Sequence, residues 1–160
     1  MAFFRSLQSS AFTDWFLGSD SIWTYPTVLT LHAAGMAILV GASFVIHLRV
    51  LHVAEGIPLR RLLPLYRFIW IGFAVNLLSG LILFVTEAAD RIIDPVFYVK
   101  MGSIAVALWL GLIVKHRVID QRDTTEVTTV HSRSMAAAAL ALWTVAIVHR
   151  VRAAAAIERL

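Results

Sequence analysis

A chain of 160 residues, 59% hydrophobic and only 15% charged, is far more apolar than a soluble domain, and it is long enough for one domain of about four membrane-crossing helices. With no cysteine, disulfides, iron–sulfur ligation and thiolate metal sites are excluded, and histidine, followed by methionine, is left as the ligand for a soft metal. The net charge of +4 does not point to nucleic acid, because the basic residues are scattered over loops and helix ends rather than gathered in a stripe.

In chain order, residues 1–22 come first and differ from the rest. Phe4, Leu7, Ala11 and Trp15 recur at helical spacing opposite Ser9, Ser10 and Asp14, which predicts an amphipathic helix lying in the membrane interface. The segment lacks the continuous apolar core and small-residue cleavage site of a secretory signal, so it is expected to be retained. Four apolar runs follow, near residues 25–47, 66–87, 96–115 and 134–152, each long enough to cross a bilayer. The fold expected is therefore all-α: a four-helix transmembrane bundle with an N-terminal interfacial amphipathic helix, in a single integral membrane domain. Pro26, Pro58, Pro64 and Pro95 all fall at or outside expected helix starts, where the missing amide hydrogen is tolerated.

The second run carries a stripe. Gly72, Asn76, Ser79, Gly80, Leu83 and Glu87 follow one another at i, i+4, i+7, i+8, i+11 and i+15, so small and hydrogen-bonding side chains share one helix face. That face is expected to point at the first span, since unsatisfied amide and hydroxyl groups are costly in hydrocarbon. Ala136 to Ala139 give the fourth run a similar capacity for close approach. Both features also suit plain packing.

The short connections indicate orientation. The first holds Arg49, Arg60, Arg61 and Arg67 and the third Lys115, Arg117, Arg122 and Arg133, while the second has only Arg91 beside Glu87, Asp90 and Asp94. Loops one and three are expected in the cytoplasm of a bacterial inner membrane, with both termini periplasmic. Arg150 and Arg152 at the end of the fourth run, and Arg159 beyond it, oppose this arrangement, but the loops usually dominate.

On this topology the six histidines sort by depth. His32 sits inside a run that otherwise reads as a membrane span, and an ionisable group there is a functional candidate by default. The bland alternative is a structural histidine tied to a Ser, a Thr or a backbone carbonyl of a neighbouring helix. His149 falls near the outer end of the fourth run, in the same outer half as His32. His47 and His116 close the inner ends of the first and third runs; beside Arg49 and Arg117 they also read as interfacial anchors. His52 and His131 lie in or beside the loops and need no chemistry. His32 and His47 are separated by about 22 Å along a helix and a rotation of about 60°, so they face broadly the same side.

Haem b needs imidazoles from facing helices, an apolar pocket, and cations near the aqueous boundary for its propionates. The outer layer offers His32 with His149 as iron ligands, Lys100 and Arg150 for the propionates, and Trp143 one helical face away. The inner layer offers His47 and His116.

The pattern WTYPTVLTLHAAGMAILVGASFVIHLR, SGLILF, FYVKMGSIAVALWLGL and SRSMAAAALALWTVAIVHR, running from Trp23 to Arg150, resembles a family of small, largely uncharacterised bacterial four-helix inner-membrane proteins. The shared skeleton is LH-x-x-G in the first span with a leucine–arginine pair at its end, SG in the second, a lysine opening the third, and a tryptophan and an arginine in the fourth. The resemblance singles out His32, Arg49, Ser79, Gly80, Lys100, Trp143 and Arg150. This chain departs from the family by carrying His149 where glycine is typical before the last arginine. A more distant likeness, in hydropathy and helix count, is to the copper-resistance CopD type and to di-haem b-type membrane cytochromes.

The leading expectation is a membrane b-type cytochrome-like subunit passing electrons between a periplasmic or quinone partner and another protein. One alternative is a cofactor-free scaffold or assembly subunit whose polar stripe binds another membrane subunit, a protein partner or a second copy in a homo-oligomer, and in which His32 hydrogen-bonds to Asn76 or Ser79. Another is a copper-handling protein using His32, Met36 and Met101. Hydrolase and nucleotide-binding fingerprints are missing from the sequence.

Overall fold

The computed structural model describes residues 2–18, 23–53, 56–116 and 130–157, with the side chains of 2, 130 and 148–157 outside that description. Every element among them is helical: α1 (Ala2–Gln8), α2 (Ala11–Gly18), α3 (Thr24–Val50), α4 (Leu65–Thr86), α5 (Ala88–Arg91), α6 (Pro95–Val114) and α7 (Val130–Ile157), with one 3₁₀ turn at Leu59–Leu62. The four long helices cover the four apolar runs with ends shifted by five residues or fewer. Three helical segments among the described residues are long and apolar enough to cross a membrane: Thr24–Val50, Leu59–Thr86 and Pro95–Val114. Large apolar side chains point outward from all three, among them Leu31, Ile38 and Val45 on α3, Phe68, Ile71, Leu78 and Leu81 on α4, and Trp109 on α6. A water-soluble surface rarely carries so much contiguous apolar area.

Hydroxyls within the long helices are satisfied at home, as a hydrocarbon environment demands. Thr30 donates to the Pro26 carbonyl at 2.7 Å, Ser79 to Val75 at 2.6 Å, Ser103 to Val99 at 2.7 Å and Thr144 to Leu140 at 2.9 Å, each one turn back along its own helix.

The chain divides into two compact units, Met1–Val40 with Phe68–Pro95, and Gly41–Arg67 with Val96–Leu160. In the first unit the single N-terminal helix expected from periodicity is two short helices. Ser9 turns its hydroxyl back to the Arg5 carbonyl, and Ser10 accepts the Thr13 amide at 3.4 Å as the N-cap of α2, so the serine pair ends one helix and starts the next. The buried positions of α2 are Thr13 and Phe16, while Trp15 of the expected stripe is 65% exposed. Phe16 lies edge-on to Tyr25 at the start of α3. Gln8 ties α1 to the short α5: its side-chain carbonyl accepts the Ala89 amide at 3.0 Å and its amide donates to Asp90 at 3.4 Å. Arg91 pairs with Glu87 on the same turn.

The first unit is organised by one close helix crossing. A methyl group on Gly35 of α3 would stand 2.7 Å from the Asn76 nitrogen and 3.0 Å from the Gly72 carbonyl oxygen, and one on Gly72 of α4 would stand 2.6 Å from the Leu39 nitrogen. The two backbones touch there, and only glycine at both positions allows it.

In the second unit α3 ends in a Schellman turn. The Val53 amide bonds to the Leu48 carbonyl at 3.1 Å and the His52 amide to Arg49 at 3.0 Å, with His52 itself at φ 65°. Buried Arg49 then reaches over the loop to donate from Nε to the Ile57 carbonyl. Tyr66, at the start of α4, donates its hydroxyl to the Gly111 carbonyl of α6 at 3.2 Å, and Lys115 stands over the Tyr66 ring at 5.8 Å.

Candidate functional site

The glycine crossing brings His32 into register with the polar stripe of α4. Its Nδ1 lies 3.1 Å from the backbone oxygen of Asn76 and 3.2 Å from the hydroxyl of Ser79. A carbonyl only accepts, so Nδ1 carries the proton, and in the neutral ring Nε2 holds the lone pair. Asn76 answers in the opposite direction, its side-chain amide donating to the His32 carbonyl at 2.9 Å. Ser79 spends its own hydrogen on Val75 and serves the imidazole as an acceptor. Gly80 completes the seat: a methyl there would be 3.0 Å from His32 Cε1, so the bare glycine leaves room for the ring. The stripe of α4 does face the first span, and the residues that resemblance singled out, His32, Ser79 and Gly80, meet at one point.

His47, fifteen residues further along α3 and in the second unit, is buried but differently served. Nδ1 donates to the Ser43 carbonyl of its own helix at 2.6 Å, which again leaves Nε2 as the lone-pair nitrogen. That nitrogen is buried without a hydrogen-bond partner. The ring edge that carries it faces Gly111 of α6, whose missing methyl would lie 3.9 Å from Nε2 and 3.7 Å from Cε1. Trp143 of α7, also in the second unit and 0% exposed, holds the complementary group: an indole N–H with no acceptor.

The remaining candidates are placed as follows. Lys100 is half-buried on the second turn of α6, and His116 is exposed just after that helix, whereas His47 is not. His149 and Arg150 belong to α7, with side chains outside the described residues. Arg49 clamps the loop after α3. Met36 follows His32 by one turn and is half-buried, and Met101 is exposed on α6. Among the described residues no three His, Asp or Glu side chains gather as a tetrahedral metal cage would require, while a haem asks only for axial nitrogens.

Three features lay beyond sequence reasoning. The Gln8 clamp on α5 joins residues more than eighty positions apart, with no periodic signal to announce it. His52 was set aside as a solvated loop histidine, yet it is the left-handed residue that ends α3. Gly111 had no pattern to mark it; its meaning comes only from the imidazole opposite.

No known protein family, curated protein or solved structure matches this chain.

Proposed function

We propose that this chain is an integral subunit of a bacterial inner membrane that carries haem b and passes electrons between a periplasmic or quinone partner and a second protein. In this reading α7 is the fourth span, the arginine-rich connections after α3 and α6 are cytoplasmic and both termini are periplasmic, supported by the Lys/Arg excess in those two connections. The exposed Phe12, Trp15 and Leu17 of α2 and Trp23 ahead of α3 then lie at the outer interface, where amphipathic aromatic side chains are favoured. The likeness to small four-helix inner-membrane proteins agrees with this arrangement.

The observation that carries the reading is the His32 Nδ1–H bond to the Asn76 carbonyl. Metal-bound histidines almost always donate their other ring N–H in this way, which fixes the tautomer and raises the basicity of the ligating nitrogen. His32 would hold the iron through Nε2, with Asn76 and Ser79 orienting its ring and Gly80 leaving the ring its seat. The sequence names His149 as the first candidate for a second ligand, with Lys100 and Arg150 for the propionates and Trp143 for apolar bulk; all four belong to the second unit. The inner pair His47 and His116 is the second candidate site. Haem, when bound, supplies one-electron chemistry; the protein supplies ligation, orientation and a water-poor surround.

A second reading, the cofactor-free scaffold, is favoured by a specific observation: the Asn76–His32 pair is reciprocal and sits beside glycine backbones already in contact. The visible absorption spectrum of the detergent-purified protein, oxidised and then reduced with dithionite, separates the two. A b-type Soret and α band supports the cytochrome reading. Protein made under haem-sufficient conditions and devoid of both bands supports the scaffold.

A further inference from the structure

Arginines beside a membrane-crossing helix serve as topology signals, and that role needs only their charge. The connection between α3 and α4, in the second unit, does more than carry charge. Its 3₁₀ turn buries Leu59 and Leu62 at 4% and 6% exposure, so the turn is pinned by its apolar side chains while Arg60 and Arg61 between them are exposed. Arg67 is exposed on the first turn of α4. Both ends of the connection are tied down, by the Arg49 bond to the Ile57 carbonyl and by the Tyr66 hydroxyl on Gly111, and Lys115 stands over the Tyr66 ring. Yet the guanidinium groups of Arg60, Arg61 and Arg67 make no hydrogen bond or ion pair with any described residue. The second unit has no Asp or Glu among its described residues, whereas the first has Asp14, Glu87, Asp90 and Asp94. Ahead of the arginines, Val53 and Ile57 are exposed at 68% and 43%.

A guanidinium without a carboxylate partner is well matched by phosphate, which accepts two parallel N–H bonds from it. Exposed aliphatic side chains in the same connection suit the boundary between lipid headgroups and acyl chains, and a soluble anion has no use for them. We propose that Arg60, Arg61 and Arg67 bind the phosphates of anionic phospholipids in the leaflet at the start of α4, with Val53 and Ile57 entering the outermost hydrocarbon. The proposal rests on the reading of the chain as a membrane protein, but not on haem or on which leaflet faces the cytoplasm.

The test reconstitutes the full-length protein in phosphatidylcholine bilayers carrying a trace of spin-labelled phosphatidylglycerol or spin-labelled phosphatidylcholine, and reads the motionally restricted fraction of each label by electron paramagnetic resonance. The expected result is a preference for phosphatidylglycerol over phosphatidylcholine of roughly twofold or more, falling toward equality in high salt. In the triple variant Arg60→Gln, Arg61→Gln, Arg67→Gln the preference is expected to be lost while the phosphatidylcholine fraction stays at the parent's value, which shows that the variant is folded and inserted. Arg5→Gln, which removes an exposed charge from α1, is expected to keep the preference. Should the triple variant fail to insert, Arg60→Gln and Arg61→Gln are read singly, each expected to lose part of the preference. The proposal is overturned if the parent restricts both lipids equally, if the arginine variants keep the parent's preference, or if Arg5→Gln loses as much, since net charge alone would then account for it. No restricted component from either lipid would overturn the membrane reading along with the proposal.

Discussion

Two histidines on one helix meet the same problem and solve it differently. Both His32 and His47 are buried, and both donate from Nδ1 to a backbone carbonyl. For His32 the carbonyl belongs to another helix, which returns a hydrogen bond from Asn76 and adds a serine hydroxyl. For His47 it belongs to the preceding turn of the same helix, and the other nitrogen is left without a partner. The difference traces to backbone distance. Gly35 and Gly72 let α3 and α4 touch, so short polar side chains reach across, while at Gly111 the neighbouring helix leaves an ordinary contact distance. A close glycine crossing supplies polar partners, whereas at the ordinary spacing opposite Gly111 none reaches His47 Nε2.

The largest expected effect comes from prising the close crossing apart. Gly35→Leu drives a side chain into the Asn76 nitrogen and the Gly72 oxygen, backbone atoms that cannot move aside, so a cost of roughly 3 kcal/mol or more is expected, at the upper end of overpacking. Folded yield and thermal unfolding in detergent are the measurements, and parent-like stability would mean the helices do not touch there. The comparison sharpens with Gly111→Ala, whose contacts at 3.7 and 3.9 Å are ordinary, and which is expected to stay within about 1 kcal/mol of the parent.

Next comes the reciprocal bond. Asn76→Leu removes the donor to the His32 carbonyl and is expected to cost about 1–2 kcal/mol, the range of interhelical hydrogen bonds in membranes. A larger loss than that of Gly35→Leu would reverse the order of importance argued from the glycines. Gly80→Leu is expected to fall near or below the asparagine change, because it meets the outer edge of an imidazole rather than backbone. Its diagnostic effect is a displaced His32 ring, visible as a changed nitrogen-15 signal from Nδ1.

The smallest effect is also the only gain. His52 holds φ 65° in the turn that closes α3, a conformation that glycine adopts without strain, so His52→Gly is expected to raise stability by up to about 1 kcal/mol. A loss would show that the His52 side chain contributes more than its backbone costs.

The sequence disclosed the parts of this molecule that repeat and hid the parts that join. Apolar runs of bilayer length placed all four long helices, and the i, i+4, i+7 spacing from Gly72 to Ser79 identified the face of α4 that meets His32. Both signals are periodic, so neighbouring residues reinforce one another. The break at Ser9–Ser10 was missed because two serines on a polar face look the same in one helix as in two, until a side chain turns back to cap. The two fates of His32 and His47 were not separable either. Each is an imidazole in an apolar run, and only the helix opposite determines whether its polar atoms are answered.

The proposed binding of iron by His32 is tested by the visible spectrum of His32→Gly recorded without and then with added imidazole. The b-type bands of the parent are expected to be lost or converted to a high-spin form in the variant, and imidazole entering the vacated space is expected to restore them. A parent-like spectrum in His32→Gly before imidazole is added, or a parent protein with no haem bands to lose, would contradict it.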